Sequence, residues 1–254
     1  MLIILSPAKS LDLDTPYDDE PSVPRFERKA AQIARAAQTL DADDLKRIMR
    51  VSDKLATLNK ERYANYFDTD TRPAIRTFAG DVYRGFDAAS IDDDAMDYAQ
   101  DHVRILSGLY GLLRPLDRMR PYRLEMGTGW SPEKGEEGKL TEYWGDAVAK
   151  ELRKQLREEG SNVLLNLASN EYYDVVRGQL PTKLTIVAPD FRVRTAKGLQ
   201  FQSFAAKVAR GAMARWVCDE RIESVEALRD FDRDGWRYSE EDSDENAPLF
   251  VREG

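Results

Sequence analysis

Three short segments of this chain gather side chains that could hold, or attack, an anionic ligand. Ser6-Pro7-Ala8-Lys9-Ser10 follows directly on the apolar run 1–5. Ligands of α/β sheets sit beyond the carboxyl ends of strands, so a lysine between two hydroxyls there can hold a phosphate or carboxylate. The glycines of a P-loop are absent, and a solvent-facing lysine in a turn is the plainer alternative. Asn166-Leu167-Ala168-Ser169-Asn170-Glu171-Tyr172 repeats the arrangement, with Asn166, Ser169 and Glu171 able to face the same sheet end as Lys9. Ser169 or Asn170 can equally cap a following helix, with Glu171 near its positive end. In residues 204–215, Lys207 and Arg210 are three apart and share a helix face, and Arg215 lies roughly 80° to one side. The small residues between them let such a helix pack tightly or approach another backbone closely.

A fourth segment is Leu106-Ser107-Gly108-Leu109-Tyr110-Gly111-Leu112-Leu113-Arg114-Pro115, followed by Arg118, Arg120 and Arg123. It resembles a helix-hairpin-helix element, in which glycines let backbone amides approach phosphate oxygens. Its glycines are spaced Gly-x-x-Gly rather than Gly-x-Gly, and Pro115 fits a second helix only at its first position. For nucleophilic catalysis, His102 is the only imidazole and reads as a surface or capping residue at a helix end beside Arg104.

Composition narrows the setting for these residues. The chain has 254 residues, 42% hydrophobic and 33% charged, enough to bury a core and too apolar for general disorder. The longest apolar run is residues 1–5, far short of the roughly 20 needed to span a bilayer, and no secretion signal opens the chain. The lone Cys218 rules out an intrachain disulfide framework and suits a reducing cytosol. With only His102 and Cys218, a structural zinc site is not expected, and no cofactor motif is found. A soluble, cytoplasmic protein without a membrane partner or an obligate protein partner is the expectation.

Net charge is −8, but the charges are segregated. Residues 12–20, 87–101 and 240–245 carry acids and no base. Residues 192–215 carry six bases and no acid, residues 102–123 hold five arginines against Asp117, and residues 44–62 hold six bases, Lys54 among them, against three acids. Local field governs anion binding more than net charge does, although charge runs are commonly just solvated faces.

The elements that must position these groups read as a single α/β domain, residues 1–254, with a mixed sheet flanked by helices. Residues 2–5 form a short buried strand. Helical spacing runs through 25–40, and Asp41 and Ser52 can cap two further helices. Residues 92–106 read as a helix with Met96, Ala99, Val103 and Leu106 inward. Residues 141–159 read as one helix with Trp144, Val148, Leu152 and Leu156 spaced by four, ended by Gly160. Residues 162–167 are strand-like, 184–193 and 199–204 suggest a hairpin, and 204–217 return to helix. The acidic stretch 239–246 reads as a surface loop or frayed tail.

Together these blocks resemble the YaaA family of bacterial peroxide-stress resistance proteins nearly end to end. The likeness rests on Leu5-Ser6-Pro7-Ala8-Lys9-Ser10-Leu11, Val51-Ser52-Asp53-Lys54-Leu55-Ala56, Gly80-Asp81-Val82-Tyr83, Leu106-Ser107-Gly108-Leu109-Tyr110-Gly111, Arg114-Pro115-Leu116-Asp117, Pro121-Tyr122-Arg123-Leu124-Glu125-Met126-Gly127, Tyr143-Trp144-Gly145, Asn166-Leu167-Ala168-Ser169 and residues 207–215. Ser10 stands where threonine is usual, and Ala79 stands where a lysine often precedes Gly-Asp-Val-Tyr. The resemblance implies a cytosolic protein made under peroxide stress, which limits oxidative damage and is linked to lower free iron. It further implies an α/β fold with a positively charged cleft and a helix-hairpin-helix element that binds double-stranded or distorted DNA.

Two functions follow. In the first, a sequence-independent DNA binder uses Lys9, Lys54, Arg114, Arg123, Lys207, Arg210 and Arg215 on phosphates, with the turn of Gly108, Tyr110 and Gly111 offering amides. In the second, an enzyme acts on a damaged base or nucleotide. Lys9 or Lys207 would be a Schiff-base nucleophile, Asp53, Asp117 or Glu125 the acid/base, and Tyr122 or Tyr143 a stacking surface. Direct iron sequestration is weaker, because no Glu-x-x-His pair exists.

Overall fold

The computed structural model describes residues 1–244 and 246–254. An apolar run with no polar face belongs inside a sheet covered on both sides. Accordingly β1 (Leu2–Leu5) is buried throughout. Three helices follow, α1 (Glu27–Gln38), α2 (Ala42–Met49) and α3 (Asp53–Ala64). Asp41 caps α2 in a reciprocal box with Asp44, and Ser52 accepts from the Leu55 N–H to cap α3. The chain continues through β2 (Arg72–Pro73), the single turn α4 (Ala74–Thr77), α5 (Asp81–Phe86) and α6 (Asp93–His102). Next come β3 (Val103–Ser107), β4 (Gly111–Leu113) and β5 (Arg118–Met119). After α7 (Leu140–Trp144) and α8 (Ala147–Glu158) the chain returns as β6 (Val163–Asn166), α9 (Asn170–Tyr173) and β7 (Thr185–Val187). The last part holds β8 (Asp190–Thr195), β9 (Gly198–Gln200), α10 (Ser203–Glu220), β10 (Arg237–Asp244) and β11 (Ala247–Glu253).

The result is a mixed α/β architecture. The first sheet has the order β4-β3-β1-β6-β7, with β1 central and parallel to both neighbours; Ile3 stands opposite Val103 and Leu165. Only β4 runs antiparallel, so the carboxyl ends of β1 and β6 share one edge. A second sheet, β10-β11-β8-β9, closes on an aromatic core in which Phe191 stacks on Phe250 and meets Trp236 edge-on. α10 crosses α5 at a glycine pair. A Cβ on Gly211 would lie 1.8 Å from the Val82 carbonyl oxygen, and one on Gly85 would lie 2.0 Å from that of Val208. The small residues of α10 therefore serve helix packing.

Four expectations change. The helix over 92–106 ends at His102, and Val103 and Leu106 lie in β3, where pairing with β1 overrides helical spacing. The helix over 141–159 is two helices, because Gly145 takes φ +51° between Trp144 and Ala147. The hairpin 184–204 divides: β7 joins the first sheet beside β6, and β8 pairs with β9 across residues 195–198. Of the acidic stretch, residues 239–244 lie in β10, with a register shift between Ser239 and Asp244. Tyr238 pairs with Phe250 in an antiparallel ladder at the sheet edge, where acidic side chains can face water; Glu245 itself lies outside the described residues.

Candidate functional site

The loops leaving β1 and β6 are stitched together. Ser6 Oγ accepts the Ser169 N–H at 2.8 Å, Tyr83 donates its phenol to the Ser6 carbonyl oxygen at 3.0 Å, and Asn166 Oδ1 accepts from the Ala168 N–H at 3.1 Å. Ser6, Asn166 and Ser169 thus build the loop platform. Ala8 is held against Gly80, where a Cβ would meet it at 2.9 Å. Lys9 escapes this packing: its side chain is 66% exposed, with Nζ 3.6 Å from Glu125 Oε1.

Glu125 is shared. The same Oε1 accepts the Arg123 Nε–H at 3.1 Å, and the Arg123 carbonyl oxygen takes the phenol of the buried Tyr63. Lys9, Arg123, Glu125 and Glu171 line an open cleft of about 570 Å³ together with Arg47 and Arg50 from the end of α2. Arg47 is engaged by Glu136 at 2.6 Å and Asp44 at 2.7 Å, which hold its guanidinium charge firmly in place. Arg50 closes α2 in the left-handed region (φ 53°) and has no side-chain hydrogen bond among the described residues. Lys54, exposed, stands in the first turn of α3, four residues beyond it.

Beneath this loop region lies a layer of buried tyrosines. Tyr122 and Ser107 share a hydroxyl contact of 2.6 Å, and burial pushes the phenols of Tyr83 and Tyr122 well up from their usual range. The layer is a rigid floor; Tyr122 is 4% exposed and presents no ring face for stacking.

The proposed hairpin is a different object. Residues 106–115 run from β3 through a tight turn into β4, a β-hairpin with no second helix. Gly108, Tyr110 and Gly111 are buried in it. A Cβ on Gly108 would meet the Leu124 carbonyl oxygen at 2.2 Å, and one on Gly111 (φ +68°) would meet the Trp144 ring at 2.6 Å. The Tyr110 N–H donates to Ser107 Oγ, and the Gly108 carbonyl accepts from Trp144 Nε1. The glycines are needed where they stand for close packing inside the fold.

Other expected residues lie outside the lining of this cleft. Arg114 is clamped by the fully buried Asp117, whose carboxylate takes both the Arg114 N–H at 2.8 Å and its Nη2 at 2.9 Å. Asp117 is therefore a turn anchor. Arg215 is held by Asp219, the Asp87 carbonyl and Ser90. Arg210 is partly buried, and desolvation lowers its pKa. Lys207 is half-exposed, 3.9 Å from Asp81. Asp53 pairs with Lys46 on the surface, and Tyr143 donates to Gln32 at 2.9 Å with Lys29 over its ring.

Of the ten expected binding residues, the structure brings Lys9 and Arg123 into the cleft, with Lys54 in the helix that follows Arg50. Arg47 and Arg50 were not singled out from the sequence. Their signal is the pair of caps at Asp41 and Ser52, which leaves Arg50 in the turn between two helices. Among the described residues no three His, Cys, Asp or Glu side chains converge as a metal site. No described helix is long and apolar enough to cross a membrane.

The model of the peroxide stress protein YaaA family matches residues 1–242, which include every residue of the cleft. The chain belongs to the YaaA family. A UPF0246 protein of Rhizorhabdus wittichii is 50% identical over 253 residues, covering 99% of each chain. UPF0246 proteins of Shewanella pealeana and Aliivibrio fischeri are 44% and 43% identical, covering all of this chain and 99% and 98% of their own. The family assignment thus takes in both sheets and the loops between them.

Proposed function

We propose that this YaaA-family protein acts in peroxide stress by holding the phosphate backbone of double-stranded or distorted DNA against the cleft around Lys9, without reading sequence. The observation that carries the reading is the gathering of Lys9, Arg50 and Arg123 at the carboxyl edge of the central strands, with Lys54 four residues along the chain from Arg50 in the first turn of α3. Phosphate contacts from such side chains fix position and carry no base code. Glu125 and Glu171 in the same cleft lower its net charge and limit the affinity.

The alternative of a lysine nucleophile has less support. Lys9 and Lys207 are both at least half-exposed and each faces a carboxylate, so neither amine is enclosed as a nucleophile in a pocket would be.

Duplex binding measured by fluorescence anisotropy tests the reading. Lys9→Ala and Arg123→Ala should each weaken all sequences alike, by roughly three- to tenfold. Unchanged affinity in both variants, or no duplex binding at all, overturns it. A covalent adduct with abasic DNA, trapped by borohydride and lost in Lys9→Ala, would instead establish the enzyme.

A further inference from the structure

Four arginines from two elements converge on a second hollow, of about 510 Å³, which shares no lining residue with the Lys9 cleft. Arg28, Ala31, Gln32 and Arg35 stand at i, i+3, i+4 and i+7 of α1, one face of the helix, with the small Ala31 leaving room between the arginines. Arg118 and Arg120 alternate along β5 and its exit, with Met119 turned into the core between them. The floor is fixed. The phenols of Tyr66 and Tyr110 meet at 2.7 Å, and Tyr110 accepts the Arg120 N–H at 2.9 Å.

The charge of this hollow is one-sided. Glu27 is its only lining carboxylate and pairs with Arg118 at 2.7 Å. Arg120 lies over the Tyr66 ring and donates Nε to the Thr69 carbonyl. Arg35 stands 5.0 Å above the half-exposed ring of Phe67, and Arg28 has no side-chain hydrogen bond among the described residues. Exposed guanidinium forks match phosphate oxygens in pairs, and the volume lies within the roughly 300–1,000 Å³ of small-molecule sites. Phe67 at the edge keeps 38% of its surface exposed beside Arg35 and Tyr66, and a planar group can lie against that part of the ring.

We propose that this hollow binds a small phosphorylated ligand of the nucleoside mono- or diphosphate class, with Arg28 and Arg35 on the phosphate. The site is independent of the DNA-binding reading. Calorimetric titration of the full chain with ADP, and separately with inorganic pyrophosphate, tests it at physiological salt. ADP should bind saturably and more tightly than pyrophosphate. The double variant Arg28→Gln/Arg35→Gln should weaken ADP by about tenfold or more, with Lys9→Ala leaving it unchanged. Both arginines are exposed on a helix, so far-UV circular dichroism and Tm should not move. Absence of ADP binding, or ADP affinity untouched by the double variant, overturns the proposal. Equal affinity for ADP and pyrophosphate overturns the nucleoside assignment. Loss of duplex affinity in the double variant, with no ADP binding, shows a backbone-phosphate groove instead.

Discussion

The ammonium of Lys9 stands 3.6 Å from Glu125 Oε1, the oxygen that also accepts the Arg123 Nε–H at 3.1 Å. One carboxylate therefore holds two cations from separate loops, and an incoming phosphate must compete with it for both. Lys9 is 66% exposed and its ion pair is worth little in water, so a phosphate competes readily for it, whereas the Arg123–Glu125 pair is largely buried and yields less easily.

Replacing Glu125 with Gln should for that reason tighten duplex binding, by roughly two- to fivefold at fixed salt. Anisotropy titration of Glu125→Gln beside the parent measures it. A weaker complex in a well-folded variant would mean that Glu125 contributes to binding rather than opposing it.

Gly108→Ala and Gly111→Ala should each destabilise the fold by about 2–4 kcal/mol, because their Cβ atoms meet the Leu124 carbonyl and the Trp144 ring. That corresponds to a fall in Tm of roughly 4–16 °C for a chain of this size. Thermal denaturation followed by circular dichroism reads it directly. Normal Tm with lost DNA binding would return these glycines to the ligand.

The difference between those glycines and Lys9 shows where the sequence was informative. An apolar run followed by polar residues correctly placed β1 at the centre of a sheet and Lys9 beyond its end. The caps Asp41 and Ser52 were readable because capping is local chemistry. The Gly108–Gly111 turn was not. Glycine spacing is the same whether a backbone approaches a phosphate or an indole, and Trp144 comes from 33 residues further along. Nor could composition tell a free arginine from one such as Arg215, whose partners Asp87 and Ser90 lie in a distant acidic run.

Burial pushes the Cys218 thiol up to about 12, so almost none of it is thiolate near neutral pH. The native protein should not react with a disulfide reagent or be oxidised by millimolar peroxide on the timescale that labels exposed thiols. Labelling should appear only in denaturant. Rapid stoichiometric labelling of the native chain would show that Cys218 senses peroxide directly.

Alkaline stability should follow the buried phenols. Desolvation raises the folded-state pKa of Tyr63, Tyr66, Tyr83, Tyr122 and Tyr172 above the unfolded value of about 10. Their contribution is fully present below pH about 10 and is lost as pH climbs above it, because only the unfolded chain ionises freely. Ultraviolet titration should show a subset of the 11 tyrosines ionising early and the rest together with unfolding. Smooth titration of all of them in a folded chain would contradict the rigid floor.

The salt dependence of duplex binding decides whether the cations around Lys9 hold DNA phosphates. A cleft that meets about four phosphates through Lys9, Arg50, Lys54 and Arg123 predicts a log–log slope near −3.6. Binding should then weaken roughly a hundredfold when salt rises fourfold, and Lys9→Ala should make the slope shallower by about 0.9. A slope near zero, or one that Lys9→Ala, Arg50→Ala and Arg123→Ala all leave unchanged, would contradict the account.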